Sequence, residues 1–190
     1  MKSLLIIAVF GLVWFQECDS RSANRGNMNR SDVTATSNNL EVKFSVDRTT
    51  IRTADDFLAR AVFTNRGPDR LKLNTLFLGF APILLKVQHA DGTPVNPTSP
   101  PFPPEDDGDE GRVVLKPNES VTFEYRGVDL FGDDLADGNY QVRFRHENTD
   151  AKYRDWVGTL ETDWVNFEVD SDLEPLPVVV PEAPKPSVER

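Results

Sequence analysis

The sequence predicts an all-β fold, an antiparallel sandwich of seven to eight short strands, on three observations. Apolar residues alternate with polar ones over short runs, turn-forming residues punctuate those runs, and almost no stretch carries the period of an amphipathic helix. The alternation is clearest at Val121, Phe123 and Tyr125, at Tyr140, Val142 and Phe144, and at Val165, Phe167 and Val169. A half-buried strand sends successive side chains to opposite faces of its sheet, so it requires this period of two.

The elements follow in order. The first strand is expected at Leu40, Val42, Phe44 and Val46, alternating with Glu41, Lys43 and Ser45, and the second from Phe57 to Thr64, stopped by Asn65-Arg66-Gly67-Pro68. Leu71 and Leu73 alternate with charged partners. Ile83, Leu85 and Val87 read as a strand that turns through Ala90-Asp91-Gly92-Thr93 towards Val95, and Asp-Gly between apolar runs is the strongest hairpin signal in the chain. Residues 96–111 carry Pro97, Pro100, Pro101, Pro103 and Pro104, then Glu105-Asp106-Asp107-Gly108-Asp109-Glu110. Prolines cannot donate to a sheet ladder, so this is expected to be a long exposed loop. Val113 and Leu115 resume the sheet, Lys116-Pro117-Asn118-Glu119 forms a turn, and a short helix is allowed near Asp129 to Asp137.

The ends read differently from the middle. Lys2 followed by the apolar run Leu4 to Phe15 predicts a signal peptide over residues 1–20, because the run is too short to span a bilayer core of about 30 Å. An exported location follows: secreted, periplasmic or lipid-anchored at the membrane surface. The single cysteine, Cys18, stands where bacterial lipoproteins carry an acylated cysteine, and Phe15, Gln16 and Glu17 before it depart from the small residue that such signals place there. The competing reading is ordinary cleavage, with Cys18 and Ser20, or Ser20 and Ser22, as the small residues at the cut. One cysteine cannot form an internal disulfide, so the core must hold the fold. Residues 21–39, rich in Ser, Asn, Arg and Thr, are expected to be a flexible spacer, and residues 171–190, with five prolines, a disordered tail. Residues 40–170 are left as one domain, long enough to bury about two thirds of its unfolded surface.

These segments resemble a family. Val42-Lys43-Phe44-Ser45-Val46, Ala61-Val62-Phe63-Thr64-Asn65, Asp91-Gly92-Thr93-Pro94-Val95, Leu115-Lys116-Pro117-Asn118-Glu119-Ser120 and Gly138-Asn139-Tyr140-Gln141-Val142 look like an immunoglobulin-like β-sandwich of exported bacterial proteins. In particular the chain is similar to the non-catalytic β-domain that precedes the zinc protease domain of deuterolysin-type and peptidyl-lysine metalloendopeptidases, and to small proteinase-inhibitor sandwiches. The resemblance implies a tyrosine corner at Tyr140, whose phenol would bond to backbone a few residues upstream. Val142 stands where the family cysteine would be, which leaves Trp156 or Trp164 to fill central core volume.

Few chemistries fit. The formal net charge of -10 opposes phosphate backbones, so no nucleic-acid partner is expected. His146-Glu147 is followed by Asn148-Thr149-Asp150, so the second histidine of a zinc helix is missing, and His146 and His89 read as surface residues at strand ends. The acidic runs Glu105 to Glu110 and Asp129, Asp133, Asp134, Asp137 would hold calcium only if two loops converged, and a solvated acidic loop is the simpler reading. Asn118-Glu119-Ser120 and Asn29-Arg30-Ser31 match the glycosylation sequon. No catalytic residue, metal or cofactor is assigned. The expected function is a non-catalytic exported module that binds a protein or cell-envelope partner, with no transmembrane span. Two alternatives stand beside it. One is a proteinase inhibitor presenting the loop Pro100, Pro101, Phe102, Pro103 and Pro104, and the other is an accessory domain of a separate secreted hydrolase.

Overall fold

Alternating sequence becomes paired strand over about half of the described residues. The computed structural model describes residues 31–95, 111–131, 135–151 and 154–174. In chain order the elements are β1 (Ser31–Ser37), β2 (Leu40–Val46), β3 (Thr50–Ile51), β4 (Leu58–Asn65), β5 (Leu71–Asn74), α1 (Thr75–Leu78), α2 (Ala81–Leu84), β6 (Leu85–His89), β7 (Arg112–Leu115), β8 (Ser120–Arg126), α3 (Gly127–Phe131), β9 (Gly138–Asn148), β10 (Gly158–Glu161) and β11 (Val165–Val169). The fold is all-β. One sheet runs β1-β2-β4-β8, the other runs β10-β9-β11-β3 with β6 on the free side of β9, and β5 pairs β7 in a small ribbon. Every pairing is antiparallel except that of β3 with β11, which is parallel. The strands beyond the seven or eight expected are β1 and the short pieces β3 and β10.

The two sheets bury their facing rows against each other. Leu40, Val42, Phe44 and Val46 of β2, with Ala59, Ala61 and Phe63 of β4, meet Tyr140, Val142 and Phe144 of β9 and Val165, Phe167 and Val169 of β11. Ring contacts cross the interface: Phe144 lies 6.2 Å from Phe44 and 5.4 Å from Phe63, and Phe57 lies 5.0 Å from Phe167. Aromatic edges meeting aromatic faces give such a core a specific geometry as well as buried area. Trp156 joins this core at one end, whereas Trp164 lies on the outer face beneath the guanidinium of Arg143, 4.4 Å from its ring centroid.

Turn chemistry fixes the register. Lys116 accepts from Glu119 N at 3.0 Å across Pro117 and Asn118, and Asn118 has φ 64°, so proline and a left-handed residue occupy the two central positions of a type II turn. At the Asp91-Gly92 hairpin, His89 O accepts from Gly92 N at 2.9 Å, and Asp91 Oδ1 accepts from Thr93 N at 2.8 Å, which lowers the Asp91 carboxyl pKa. Between the pairs Arg145–Glu161 and Val142–Val165, the β10–β11 side advances one residue more than β9. That extra residue is a bulge at Thr162-Asp163-Trp164, where Thr162 donates from its N to Phe144 O and accepts from Phe144 N on its hydroxyl.

Two expectations are corrected. The stretch from Ser31 to Ser37, placed in the 21–39 spacer, is a strand paired along its length with β2, through a two-residue turn in which Asn38 and Asn39 have φ 47° and 66°. Two consecutive left-handed asparagines make the primed turn whose twist matches a hairpin. Ile83 is not in a strand: α1 and α2 form a short helical insert over residues 75–84, and the strand begins at Leu85. Asn74 caps α1 by accepting from Leu76 N at 3.1 Å, and Pro82 stands in the first turn of α2. These local signals outweigh the β-branched character of Ile83. Among the described residues no helix is long and apolar enough to cross a membrane.

Candidate functional site

The inward row of β9 runs Tyr140, Val142, Phe144, then His146 and Asn148. The strand outlasts the core, and its last two inward positions carry polar side chains into a groove of about 420 Å³ at the end of the sandwich. Leu73, Phe77, Leu78, Ile83, Leu84 and Trp156 form the apolar part of this groove, and Asn74, His146, Glu147, Asn148, Asp150 and Asp155 its polar part. The insert α1–α2 supplies one wall. The end of β9 and the residues leading to β10 supply the other.

Each wall is held by identifiable bonds. Tyr125 Oη donates to Leu78 O at 2.8 Å, tying the insert to the first sheet, and burial pushes that phenol's pKa up. Thr75 donates from both its N and its hydroxyl to Gly111 O, at 2.6 and 2.5 Å. Gly111 has φ 69° and a Cβ there would sit 2.3 Å from Leu76, so only glycine lets the chain pass this close to α1. Opposite, Trp156 N donates to Lys72 O at 2.7 Å, Asn148 Nδ2 donates to Trp156 O at 2.6 Å, and Trp156 Nε1 lies 3.2 Å from both Ser37 O and Asn38 O. Trp156 therefore joins the groove to the β1–β2 turn.

Two ionisable features stand out. Arg112 Nε donates to both carboxylate oxygens of Asp155, at 3.1 and 2.9 Å, with side chains only 2% and 6% exposed. A buried pair of this kind is chiefly a constraint, because its attraction is offset by the cost of removing both charges from water. Here it fastens the residues before β10 to β7. His146 is half-buried and stacks on Trp156 at 5.8 Å, and its ring nitrogens bond to none of the described residues. Burial lowers its pKa to about 4, so it is a neutral imidazole near pH 7, able to donate from one nitrogen and accept on the other.

The sequence-predicted residues distribute unevenly around this groove. His146 belongs to it and is not a surface strand-end residue; the missed signal was the continuation of the Tyr140-Val142-Phe144 row by two further positions. Tyr140 lies towards the opposite end of β9, where its Oη donates to Ala136 O at 2.7 Å and its ring stacks on Phe167 at 5.3 Å. His89 sits against Tyr140, at 4.8 Å. Asp137 accepts from Ser171 N and Ser171 Oγ, at 3.0 and 2.9 Å. Among the described residues no group of three or more His, Cys, Asp or Glu side chains is placed to hold a metal ion. Cys18, the loop Pro100, Pro101, Phe102, Pro103 and Pro104, the acidic run Glu105 to Glu110, and Asp133 and Asp134 lie outside the described residues. No protein-family model matches the chain, and the search of curated proteins finds no match either.

Proposed function

We propose that this protein is an exported, non-catalytic module of immunoglobulin-like topology that binds a protein or cell-envelope partner through the groove between α1–α2 and the end of β9. The observation that carries the reading is the groove itself: a concave site with an apolar floor, a few convergent polar groups, and Ile83 left 38% exposed at its edge. Concave, mainly apolar sites with sparse polar groups are where proteins hold ligands. The topology supports the immunoglobulin-like part. The orders β2-β4-β8 and β6-β9-β11 correspond to strands A-B-E and C-F-G of that sandwich, with Tyr140 near the start of the F-equivalent strand. Fold alone does not assign function, so the binding role rests on the groove. Export rests on the sequence of residues 1–20.

A photoreactive amino acid at position 83, in the cells that make the protein, tests the reading. The expected result is a discrete adduct with one protein or envelope component, absent when the same group replaces Asn166 on the exposed outer face of β11. Equal labelling from both positions, or none from position 83, would remove the groove as the partner site.

A further inference from the structure

The sheet edges differ in how they are closed. The outer side of β6 is covered by the arm of its own hairpin, where His89 N donates to Thr93 O at 2.9 Å and Val95 N to Val87 O at 3.0 Å. β8, the last strand of the order β1-β2-β4-β8, pairs with β4 alone. That ladder is framed by the bonds from Gly127 N to Phe57 O and from Asn65 N to Glu119 O, both 3.1 Å, and its register is unbroken from Arg126 to Ser120. Antiparallel bonding alternates, so Val121, Phe123 and Tyr125 turn their N–H and C=O towards β4, while those of Ser120, Thr122 and Glu124 point away. Among the described residues these outward groups have no protein partner.

Exposed edges are commonly blunted by proline, lysine, a bulge or an inward-pointing charge. β8 is seven residues long and has none of these; its two charges, Glu124 and Arg126, stand on the outer face. In its inward row Val121 and Phe123 are only half-buried, although Phe123 meets the edge of Phe63 at 5.7 Å. Glu124 is held by Arg60 at 2.8 Å, whereas Arg126 is exposed and pairs with no carboxylate among the described residues.

We infer that the free edge of β8 takes an extended segment of another protein as a further strand, with apolar residues beside Val121 and Phe123 and a carboxylate opposite Arg126. A row of N–H and C=O groups at strand spacing is matched by another extended backbone, and the inward row and Arg126 select its side chains. None of Ser120, Thr122, Glu124 and Arg126 lines the groove, so this surface stands independently of it. A second copy complements the edge poorly. Full-length pairing of β8 with itself sets Ser120 against Arg126 and brings the two Glu124 side chains to diagonal positions. The register that opposes Glu124 to Arg126 overlaps only at Glu124, Tyr125 and Arg126, because α3 follows. The chain's own tail fits no better, since Pro175, Pro177, Pro181, Pro184 and Pro186 withhold donors from a ladder.

The probe is acetyl-Glu-Ala-Lys-Val-Thr-Val-Thr-amide, added to the full chain, with backbone amide exchange read by NMR. In antiparallel register its glutamate stands opposite Arg126 and its valines beside Phe123 and Val121. In the free protein the amides of Thr122 and Glu124 are expected to exchange fast and those of Val121 and Phe123 slowly. The peptide should protect Thr122 and Glu124 and leave the Trp156 indole N–H unshifted. N-methylation of the peptide's lysine and first threonine, which face β8, should weaken binding ~10-fold or more, and N-methylation of its first valine, which faces away, less than ~3-fold. Arg126→Glu should weaken binding ~5-fold, and lysine in place of the peptide's glutamate should restore it. No protection at millimolar peptide, or equal binding of the two methylated forms, would overturn the inference. Protection of Thr122 and Glu124 in the chain alone would overturn it too: the chain itself then covers the edge, or, where dilution releases the amides, a second copy does.

Discussion

Tyr125 and Tyr140 each donate a phenol hydrogen bond to a backbone carbonyl, but the two acceptors differ in surroundings. Ala136 O lies close to solvent, so a water can replace the donor, and Tyr140→Phe is expected to cost about 1 kcal/mol in chemical denaturation. The bond to Leu78 O is buried, and Tyr125→Phe leaves that carbonyl without its donor, so about 2 kcal/mol is expected from the same measurement. His146 gives a pH dependence with a definite sign. Its folded pKa of about 4 lies below the ordinary value near 6.5, so the unfolded chain binds the proton first as pH falls. This contribution to stability is fully present above about pH 6.5 and is lost as pH falls towards 4. Denaturation at pH 7 and pH 5 should show a loss of at most about 2 kcal/mol, less for the ring's partial exposure, and His146→Phe should abolish that portion while keeping the stack on Trp156. An unchanged slope in that variant would mean that His146 titrates normally.

At the scale of elements, legibility followed the contrast between apolar and polar residues. β2, β8, β9 and β11 alternate large apolar side chains with polar or charged ones, and their positions could be read directly. β1 could not, since its inward positions carry only Ser, Val and Ala, and composition there looks like a spacer. It is a strand because the Asn38-Asn39 turn folds it back onto β2, a long-range consequence of two left-handed residues. The insert α1–α2 was hidden for the opposite reason: a continuous apolar run from Leu76 to Leu85 does not reveal whether it is helix or strand. Gly158 marks how closely these elements approach, since a Cβ there would lie 2.6 Å from the Trp156 ring. The anchor that matters most to the groove is Arg112–Asp155. Arg112→Ala is expected to cost about 3 kcal/mol or more, because it leaves Asp155 buried and unpaired, and Asp155→Asn in the same chain should recover part of that loss. A double-mutant cycle measures both terms.

Across the whole molecule, β1 closes the first sheet at one edge while its turn accepts from Trp156 of the groove wall. A chain beginning at Leu40 therefore loses a strand and both Trp156 acceptors, Ser37 O and Asn38 O, although every fully buried apolar residue is present. Its expected stability is lower by about 2 kcal/mol or more than that of a chain beginning at Ser31, with a disturbed indole N–H signal. Equal stability of the two chains would mean that β1 only covers an edge.

By itself the sequence determined the all-β class, the main turns and the inward rows of the long strands, because each depends on local alternation or on residues with restricted backbone angles. The tertiary structure alone decided that β1 is a strand, that residues 75–84 are helical, and that His146, Trp156, Arg112 and Asp155 converge. Those outcomes depend on contacts between segments far apart in the chain, where burial by a distant partner outweighs local preference, and a groove exists only once its two walls have met.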